Sequence, residues 1–223
     1  ARASARQTVR VRSQLLDRLG CHVSPLYCEE SPRGFPRAPE PTPSALREFG
    51  ALVKKEKAAA GFALDPDADR LVVGSPKQGT LNEEYTVPLS LLGFLSAHKN
   101  GVKGKAIVVN LSTANLVDFV AEKAGMKMFR SPVGEANVVA MMRKGKAVFG
   151  GEGNGGVIHP EVPSYGRDSL TGAALILSAM AARNAATKKI EASAPGDGLP
   201  HAGGADELVP LDPDHPSFKD PVY

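Results

Sequence analysis

Apolar positions along this chain switch repeatedly between helical and strand-like spacing, the pattern of a protein built from alternating helices and strands. The first helical face comprises Val11, Leu15, Leu16 and Leu19. Residues 22–27 are predicted to form a strand, and a second helix is predicted to begin at Thr42-Pro43, a pair typical of helix starts. The alternation predicts an α/β fold in layers, with mixed and mostly parallel sheets.

The same alternation continues in the second half of the chain. Residues 106–111 predict a buried strand, and an alanine-rich stretch from about residue 168 to 186 predicts a last helix with Asp168 at its N-cap. The other helical faces predicted here are Tyr85, Leu89, Leu92 and Leu95; Leu116, Phe119 and Val120; and Val138, Val139 and Met142.

A break in the pattern at residues 79–82 divides the chain into two consecutive α/β domains. The predicted domains are residues 1–80 and 81–190. Residues 191–223 contain six prolines, four glycines and seven acidic residues against one lysine, a composition that predicts a disordered tail.

A loop with three aspartates lies between two short apolar runs in the first predicted domain. In this aspartate loop, residues 65–70, Asp65, Asp67 and Asp69 occupy alternate positions and Pro66 helps to fix the turn. Hard carboxylate donors that converge on one point suit Mg²⁺. The loop ends in Arg70, whose guanidinium is shaped to hold a phosphate beside a cation. The pattern therefore indicates a metal site that serves phosphoryl chemistry.

The aspartate loop has two other interpretations. An EF-hand calcium loop begins with the same pattern but needs glycine at its sixth position and glutamate at its twelfth, where this chain has Arg70 and Pro76. A solvated acidic turn between two strands stays open, because an isolated aspartate-rich loop carries little information by itself.

A second loop, rich in glycine, follows a strand-like run in the second predicted domain. Within this glycine loop, residues 150–156, three glycines satisfy the spacing G-x-G-x-x-G. A dinucleotide site would require a helix directly afterwards, and Pro160 and Pro163 make that a poor helix start. Glu152 and Asn154 instead offer hydrogen-bonding groups suited to sugar hydroxyls. A hairpin with two incidental polar residues is the alternative.

Together the two loops resemble the α-D-phosphohexomutase family, which includes phosphomannomutases, phosphoglucomutases and phosphoglucosamine mutases. Members carry an Asp-x-Asp-x-Asp-Arg magnesium loop in their second domain and a Gly-Glu-x-Ser/Asn-Gly sugar loop in their third, in this order. Three further segments agree, namely residues 35–41, 133–135 and 166–170. The resemblance covers about residues 13–187.

The resemblance implies a reversible phosphoryl transfer between the C1 and C6 oxygens of a hexose phosphate, through a phosphoserine and a hexose bisphosphate intermediate. It implies that the three aspartates bind Mg²⁺ and that Arg70 stabilises the phosphoryl group. Glu152 and Asn154 would hold ring hydroxyls. Glu135 would lie near the reacting hydroxyl, where it would take a role in proton transfer. Ser112, with Asn110 and Thr113 at the end of the predicted strand, is a further substrate-side candidate.

Two family segments do not occur in the printed sequence. There is no Thr-Ala-Ser-His-Asn segment, which carries the phosphorylated serine, and no Arg-x-Ser-Gly-Thr-Glu phosphate loop. The first twelve residues hold four arginines where an apolar strand is expected. These departures predict the middle part of a mutase, from a fragment or an altered reading frame. The alternative is a truncated, non-catalytic chain that binds Mg²⁺ and sugar phosphate.

Charge and hydropathy argue against nucleic acids and membranes as partners. The formal net charge of +3 is small, and neither a basic stripe nor an aromatic platform indicates nucleic acid. No apolar run approaches the length of a membrane span, so the sequence predicts a cytoplasmic protein without membrane contact. Among the histidines, only His159 is predicted to lie near the chemistry. No feature indicates an oligomeric state.

Overall fold

The computed structural model describes residues 15–28, 34–98 and 101–193, with side chains as far as residue 185. In these ranges the helices, numbered in chain order, are α1 Arg47–Lys55, α2 Thr86–Ala97, α3 Leu116–Lys123, α4 Glu135–Gly145 and α5 Ser169–Ser193, and residues 15–18 are also helical. The strands are β1 Gly61–Leu64, β2 Leu71–Ser75, β3 Gly79–Thr80, β4 Ala106–Asn110, β5 Lys127–Ser131, β6 Phe149–Glu152 and β7 Gly156–Ile158.

The first sheet has the order β1-β2-β3 and is antiparallel throughout. Helix α1 packs on it through Phe49, whose ring lies over the cross-strand pair Gly61 and Gly74. A Cβ atom would come within 2.7 Å of this ring at Gly61 and 2.9 Å at Gly74, so both strands need glycine there. The aspartate loop is the connection of the β1–β2 hairpin, because Leu64 pairs with Leu71.

The second sheet has the order β5-β4-β6-β7, with β4, β5 and β6 parallel and β7 antiparallel to β6. One face packs against α2 and α3, and the other packs against α4. The predicted α/β class is confirmed, and the mixed, mostly parallel pairing is that of this second sheet.

Two predictions near the start of the chain are wrong. Residues 22–25 have no regular secondary structure and residues 26–27 form a bend, because this mostly exposed segment pairs with no strand in the described part of the chain. Helix α1 begins at Arg47 and not at Thr42-Pro43. The Thr42 carbonyl still accepts a hydrogen bond from Leu46 N at 3.0 Å, so turns precede the regular helix.

Helix α2 is buried on more sides than its sequence pattern indicates. The predicted face of Tyr85, Leu89, Leu92 and Leu95 is only partly buried, whereas Val87 and Leu91 are fully buried. The reason is that α2 lies between the second sheet and α5, whose backbone approaches Gly93 closely. The predicted face was therefore the less buried side of a helix that is covered on two sides.

Helix α5 joins the two sheets. Its Ala173 and Ile176 pack in one cluster with Leu71 and Val73 of β2. The predicted N-cap is confirmed, since Asp168 Oδ1 accepts a hydrogen bond from Leu170 N at 2.8 Å. The helix continues to Ser193, three residues into the segment predicted as a tail, and residues 194–223 lie outside the described residues.

The predicted division into residues 1–80 and 81–190 stays a prediction. Its boundary falls between β3 and a short 3-10 turn, Glu83–Tyr85, that leads into α2. Within the three described ranges, none of the helices combines the length and apolar character that crossing a lipid bilayer demands.

Candidate functional site

The aspartate loop turns sharply at Ala68, which has a φ angle of 64°. Left-handed backbone costs a non-glycine residue roughly 1 kcal/mol or more and persists only where neighbouring groups enforce it. Here the Ala68 amide donates to the Asp65 carbonyl at 3.1 Å, and the Ala68 carbonyl accepts a hydrogen bond from Ser169 Oγ at 2.6 Å. The start of α5 therefore holds the aspartate loop in place.

Asp65 is buried against Arg70. Its side chain is 3% exposed, and Oδ2 accepts a hydrogen bond from Arg70 Nε at 2.6 Å. Burial alone would raise the pKa of Asp65, but the hydrogen bonds and charge of Arg70 outweigh it and hold the pKa below its ordinary value. Arg70 Nη1 also contacts Glu40 Oε1 at 2.6 Å, so its guanidinium is shared between two carboxylates.

Asp69 lies beside Asp65, and only one of its two carboxylate oxygens accepts a hydrogen bond from the described residues. Its Oδ2 accepts a hydrogen bond from Arg167 Nη2 at 2.6 Å, whereas Oδ1 is buried and has no hydrogen-bond partner in the described part of the chain. Burial raises the pKa of Asp69 above its ordinary value, and the negative charge of Asp65 adds to this effect. Two adjacent carboxylates and an unpaired buried oxygen fit a hard cation.

Asp67 does not join this pair. Its side chain is exposed, and the described residues contain no group of three or more histidine, cysteine, aspartate or glutamate side chains placed to hold a metal ion. The structure therefore brings together two of the three predicted ligands, and the Mg²⁺ assignment stays a prediction.

Glu152 of the glycine loop is buried, and its carboxylate accepts three hydrogen bonds from protein groups. It is 2% exposed, and its Oε1 accepts hydrogen bonds from Asn110 Nδ2 at 2.9 Å and Gly134 N at 3.2 Å. Its Oε2 accepts one from Arg167 Nη1 at 3.1 Å. A sugar hydroxyl would have to share these oxygens with three protein donors, and the role in hydroxyl binding stays a prediction.

The end of β4 supplies the polar groups beside Glu152. Asn110 is 2% exposed, and its Oδ1 accepts hydrogen bonds from Ser112 Oγ at 3.1 Å and Thr113 Oγ1 at 2.7 Å. These two donors and the Glu152 acceptor determine the orientation of the amide. Ser112 itself is exposed. Since β4 and β6 are parallel, Asn110 and Glu152 meet at the same edge of the sheet.

The other side of the glycine loop is packed by a glutamate that the sequence pattern did not single out. A Cβ atom at Gly153 would lie 2.7 Å from Glu84 Oε2, which accepts a hydrogen bond from Ala114 N at 2.8 Å. Burial raises the pKa of Glu84 above its ordinary value. Asn154 is partly buried, and its Oδ1 accepts a hydrogen bond from Gly156 N at 3.3 Å within the loop.

Arg167, which lies in the short connection before α5, was not among the predicted site residues and contacts both loops. Its guanidinium binds Asp69 and Glu152, and its backbone N–H donates to Glu135 Oε1 at 2.8 Å. Glu135 is thus a partner of Arg167 at the start of α4, and its predicted proton-transfer role stays a prediction. The signal was present, because Arg167 lies in the family-like segment 166–170 directly before a helix N-cap.

His159 lies at the opposite edge of the second sheet. Because β7 runs antiparallel to β6, Ile158 pairs with Gly150, and His159 follows at the edge where β4 and β6 begin. There it lines a cavity of about 220 Å³ together with His98, Lys105 and Glu161. The expectation that His159 lies near the chemistry is therefore wrong, since strand direction takes it to the other edge.

We expect His159 to make stability depend on pH. Burial lowers its pKa below the ordinary value, with Glu161 opposing and His98 adding to this shift. Between about pH 6.5, the ordinary value, and the lower folded pKa, the unfolded chain binds more protons, so stability falls as pH falls. His159→Gln should reduce the decrease in urea midpoint between pH 7 and 5, whereas His22→Gln at an exposed position should not. Equal slopes in the two variants would contradict this.

Models of two consecutive domains of one protein family match this chain, one over each loop. Residues 3–78 match the family model described as "Phosphoglucomutase/phosphomannomutase, alpha/beta/alpha domain II". Residues 89–195 match the model for alpha/beta/alpha domain III of the same family. The aspartate loop lies in the first match and the glycine loop in the second.

Individual relatives match across most of the chain. A phosphoglucomutase/phosphomannomutase from Thermococcus kodakarensis is 33% identical over 167 residues, which cover 75% of this chain and 36% of that protein. A phosphoglucosamine mutase from Aliarcobacter butzleri is 31% identical over 172 residues, which cover 76% and 37%. The chain thus spans little more than a third of the length of these curated relatives.

A solved structure shows the same arrangement. The crystal structure of a phosphoglucomutase/phosphomannomutase family protein from Burkholderia thailandensis superposes with a TM-score of 0.63 at 25% identity and covers 77% of this chain and 37% of its own. With both loops in their expected domains and both domain models matched in order, the chain belongs to the phosphoglucomutase/phosphomannomutase family.

Proposed function

We propose that this chain forms the cation-binding and sugar-binding part of a phosphohexomutase. Such an enzyme is an isomerase that interconverts hexose 1-phosphate and hexose 6-phosphate through a phosphoserine and a bisphosphate intermediate. The observation that carries the proposal is the contact of Arg167 with both Asp69 and Glu152, since it joins the aspartate loop directly to the glycine loop. A phosphoryl site and a sugar site must be adjacent if one substrate is to occupy both.

In this proposal the aspartate loop serves the phosphoryl group. Asp65 and Asp69 would hold Mg²⁺, and the exposed Asp67 would complete the ligands by turning toward them. When bound, the cation neutralises charge on the transferring phosphoryl group. Arg70 stands beside Asp65 with its side chain 19% exposed, and it would stabilise the same group by charge-assisted hydrogen bonds.

The glycine loop and its neighbours would serve the sugar. Glu152, fixed by three donors, offers a rigid acceptor, and the amide of Asn154 offers a donor on the same loop. Ser112 is exposed at the adjoining strand end, where it can contact substrate. Glu135 Oε2 lies 3.4 Å from Arg167 Nε, and in this proposal its carboxylate would take part in proton transfer.

A second candidate function is supported by the sequence. The printed chain contains no Thr-Ala-Ser-His-Asn segment, so no residue in it matches the family's phosphorylated serine. The second candidate is binding of Mg²⁺ and hexose phosphate without turnover.

Phosphorus NMR of the 223-residue chain with Mg²⁺, glucose 1-phosphate or mannose 1-phosphate, and a trace of the bisphosphate tests both candidates. A saturable, Mg²⁺-dependent shift of the 1-phosphate resonance is expected, and Asp67→Asn should weaken it at least tenfold. Asp17→Asn, which removes an exposed carboxylate elsewhere, is the matched control. Conversion to the 6-phosphate would support the mutase, and binding alone the second candidate. A folded chain that does neither would overturn both.

A further inference from the structure

Arg167 divides its guanidinium between the two loops. Nη2 donates to Asp69 Oδ2 at 2.6 Å and Nη1 donates to Glu152 Oε2 at 3.1 Å. Nε faces Glu135 Oε2 at 3.4 Å. The ion pair with Glu152 is well shielded, because the Arg167 side chain is 20% exposed and that of Glu152 is 3% exposed. The Asp69 and Glu135 side chains are 27% and 36% exposed. A planar fork with a different carboxylate at each end fixes the two loops relative to each other.

The carboxylate that Arg167 holds in the aspartate loop is one that a cation would use. Asp69 already has a second oxygen, Oδ1, that is buried without a hydrogen-bond partner in the described ranges. A divalent cation between Asp65 and Asp69 would repel the guanidinium and compete with it for the charge of Asp69. Arg70 faces the same competition at Asp65, but its second partner is Glu40 and not the glycine loop.

We propose that Arg167 is a positioning residue that couples cation binding at the aspartate loop to the conformation of the glycine loop. A cation at Asp69 weakens the bond from Nη2 and leaves the guanidinium to Glu152 and Glu135. This inference rests on the cation site of the proposed function.

The glycine loop has little room to absorb such a change elsewhere. Leu71 N donates to the Gly155 carbonyl at 3.1 Å, and a Cβ atom at Gly155 would lie 2.3 Å from the Leu71 carbonyl oxygen. With one side of the loop seated on β2, a shift of Glu152 has to change the conformation of residues 153 and 154. If the cation changes the affinity for a sugar phosphate that engages Glu152, then by linkage the sugar phosphate changes the affinity for the cation by the same factor.

Titration of the full ¹⁵N-labelled chain with MgCl₂, followed by amide NMR, tests the coupling. In the wild type, the amides of Ala68 in the aspartate loop and of Gly153 in the glycine loop should shift with one common midpoint. In Arg167→Met, Ala68 should still respond, at a Mg²⁺ concentration severalfold lower because the competing charge is gone. The Gly153 response should fall by at least half.

Arg70→Met is the matched control, because it removes the arginine that pairs with Asp65 and Glu40 and has no bond to the glycine loop. It should retain the full Gly153 response at saturation. Arg167→Lys, which keeps the charge but not the fork, should give an intermediate response and serves if the methionine variant does not fold. A full Gly153 response in both Arg167 variants would overturn the coupling and leave the cation site standing. A wild type in which Ala68 does not respond would overturn both.

Discussion

Gly93→Ala is expected to lower the free energy of unfolding by about 3 kcal/mol or to prevent folding, because overpacking at a rigid contact costs about 1–3 kcal/mol and occasionally more. A Cβ atom at Gly93 would lie 1.8 Å from the Leu175 carbonyl oxygen and 2.3 Å from its carbonyl carbon. These are backbone atoms of α5, so no side-chain rotation relieves the clash. The helices α2 and α5 would have to separate, and the core they share with β2 would open.

Urea denaturation of the wild type and Gly93→Ala measures this loss. Gly145→Ala in α4 is the matched control, since its Cβ atom would meet nothing within 4 Å. Alanine favours helix over glycine by up to about 1 kcal/mol, so this control should be neutral or slightly stabilising. A Gly93→Ala midpoint equal to that of the wild type would mean that the two helices pack less closely than the structure shows.

Glu152→Ala is expected to cost about 3 kcal/mol, the usual penalty for removing one partner of a buried charge pair. It leaves Arg167 Nη1, Asn110 Nδ2 and Gly134 N without their acceptor. Because Arg167 is 20% exposed, water relieves part of this penalty. The loss also removes the side-chain link between the glycine loop and Asn110 at the end of β4.

Chemical denaturation with two companion variants distinguishes charge from packing. Glu152→Gln keeps an oxygen acceptor for Asn110 and Gly134 and should cost less than the alanine variant. Glu122→Ala, at an exposed position on α3, should change stability by less than about 0.5 kcal/mol. If Glu152→Ala were as mild as Glu122→Ala, the hydrogen bonds to Glu152 would not form in solution.

Features encoded by neighbouring residues were predictable. The turn of the aspartate loop and the Asp168 cap depend on contacts within a few positions, and the structure has both. The strand predicted at residues 106–111 was recognisable from its own apolar run and is found at residues 106–110, although it pairs with the distant strands β5 and β6. Features that depend on distant partners were not. The segment of residues 22–27 has strand-like composition but pairs with no strand in the described part of the chain, and strand formation requires a partner edge.

The candidate site also combines features encoded by neighbouring residues with features that depend on distant partners. The two loops and the residue types they present follow from the order of residues, as does membership of the α/β class. Only the tertiary structure decided that Arg167 joins Asp69 to Glu152, that Asp67 is exposed while Asp65 is buried and that His159 lies at the far edge. Ninety-eight positions separate Arg167 from Asp69. Local propensity carries no information on which charges meet across such a distance, because strand order and helix packing bring them together.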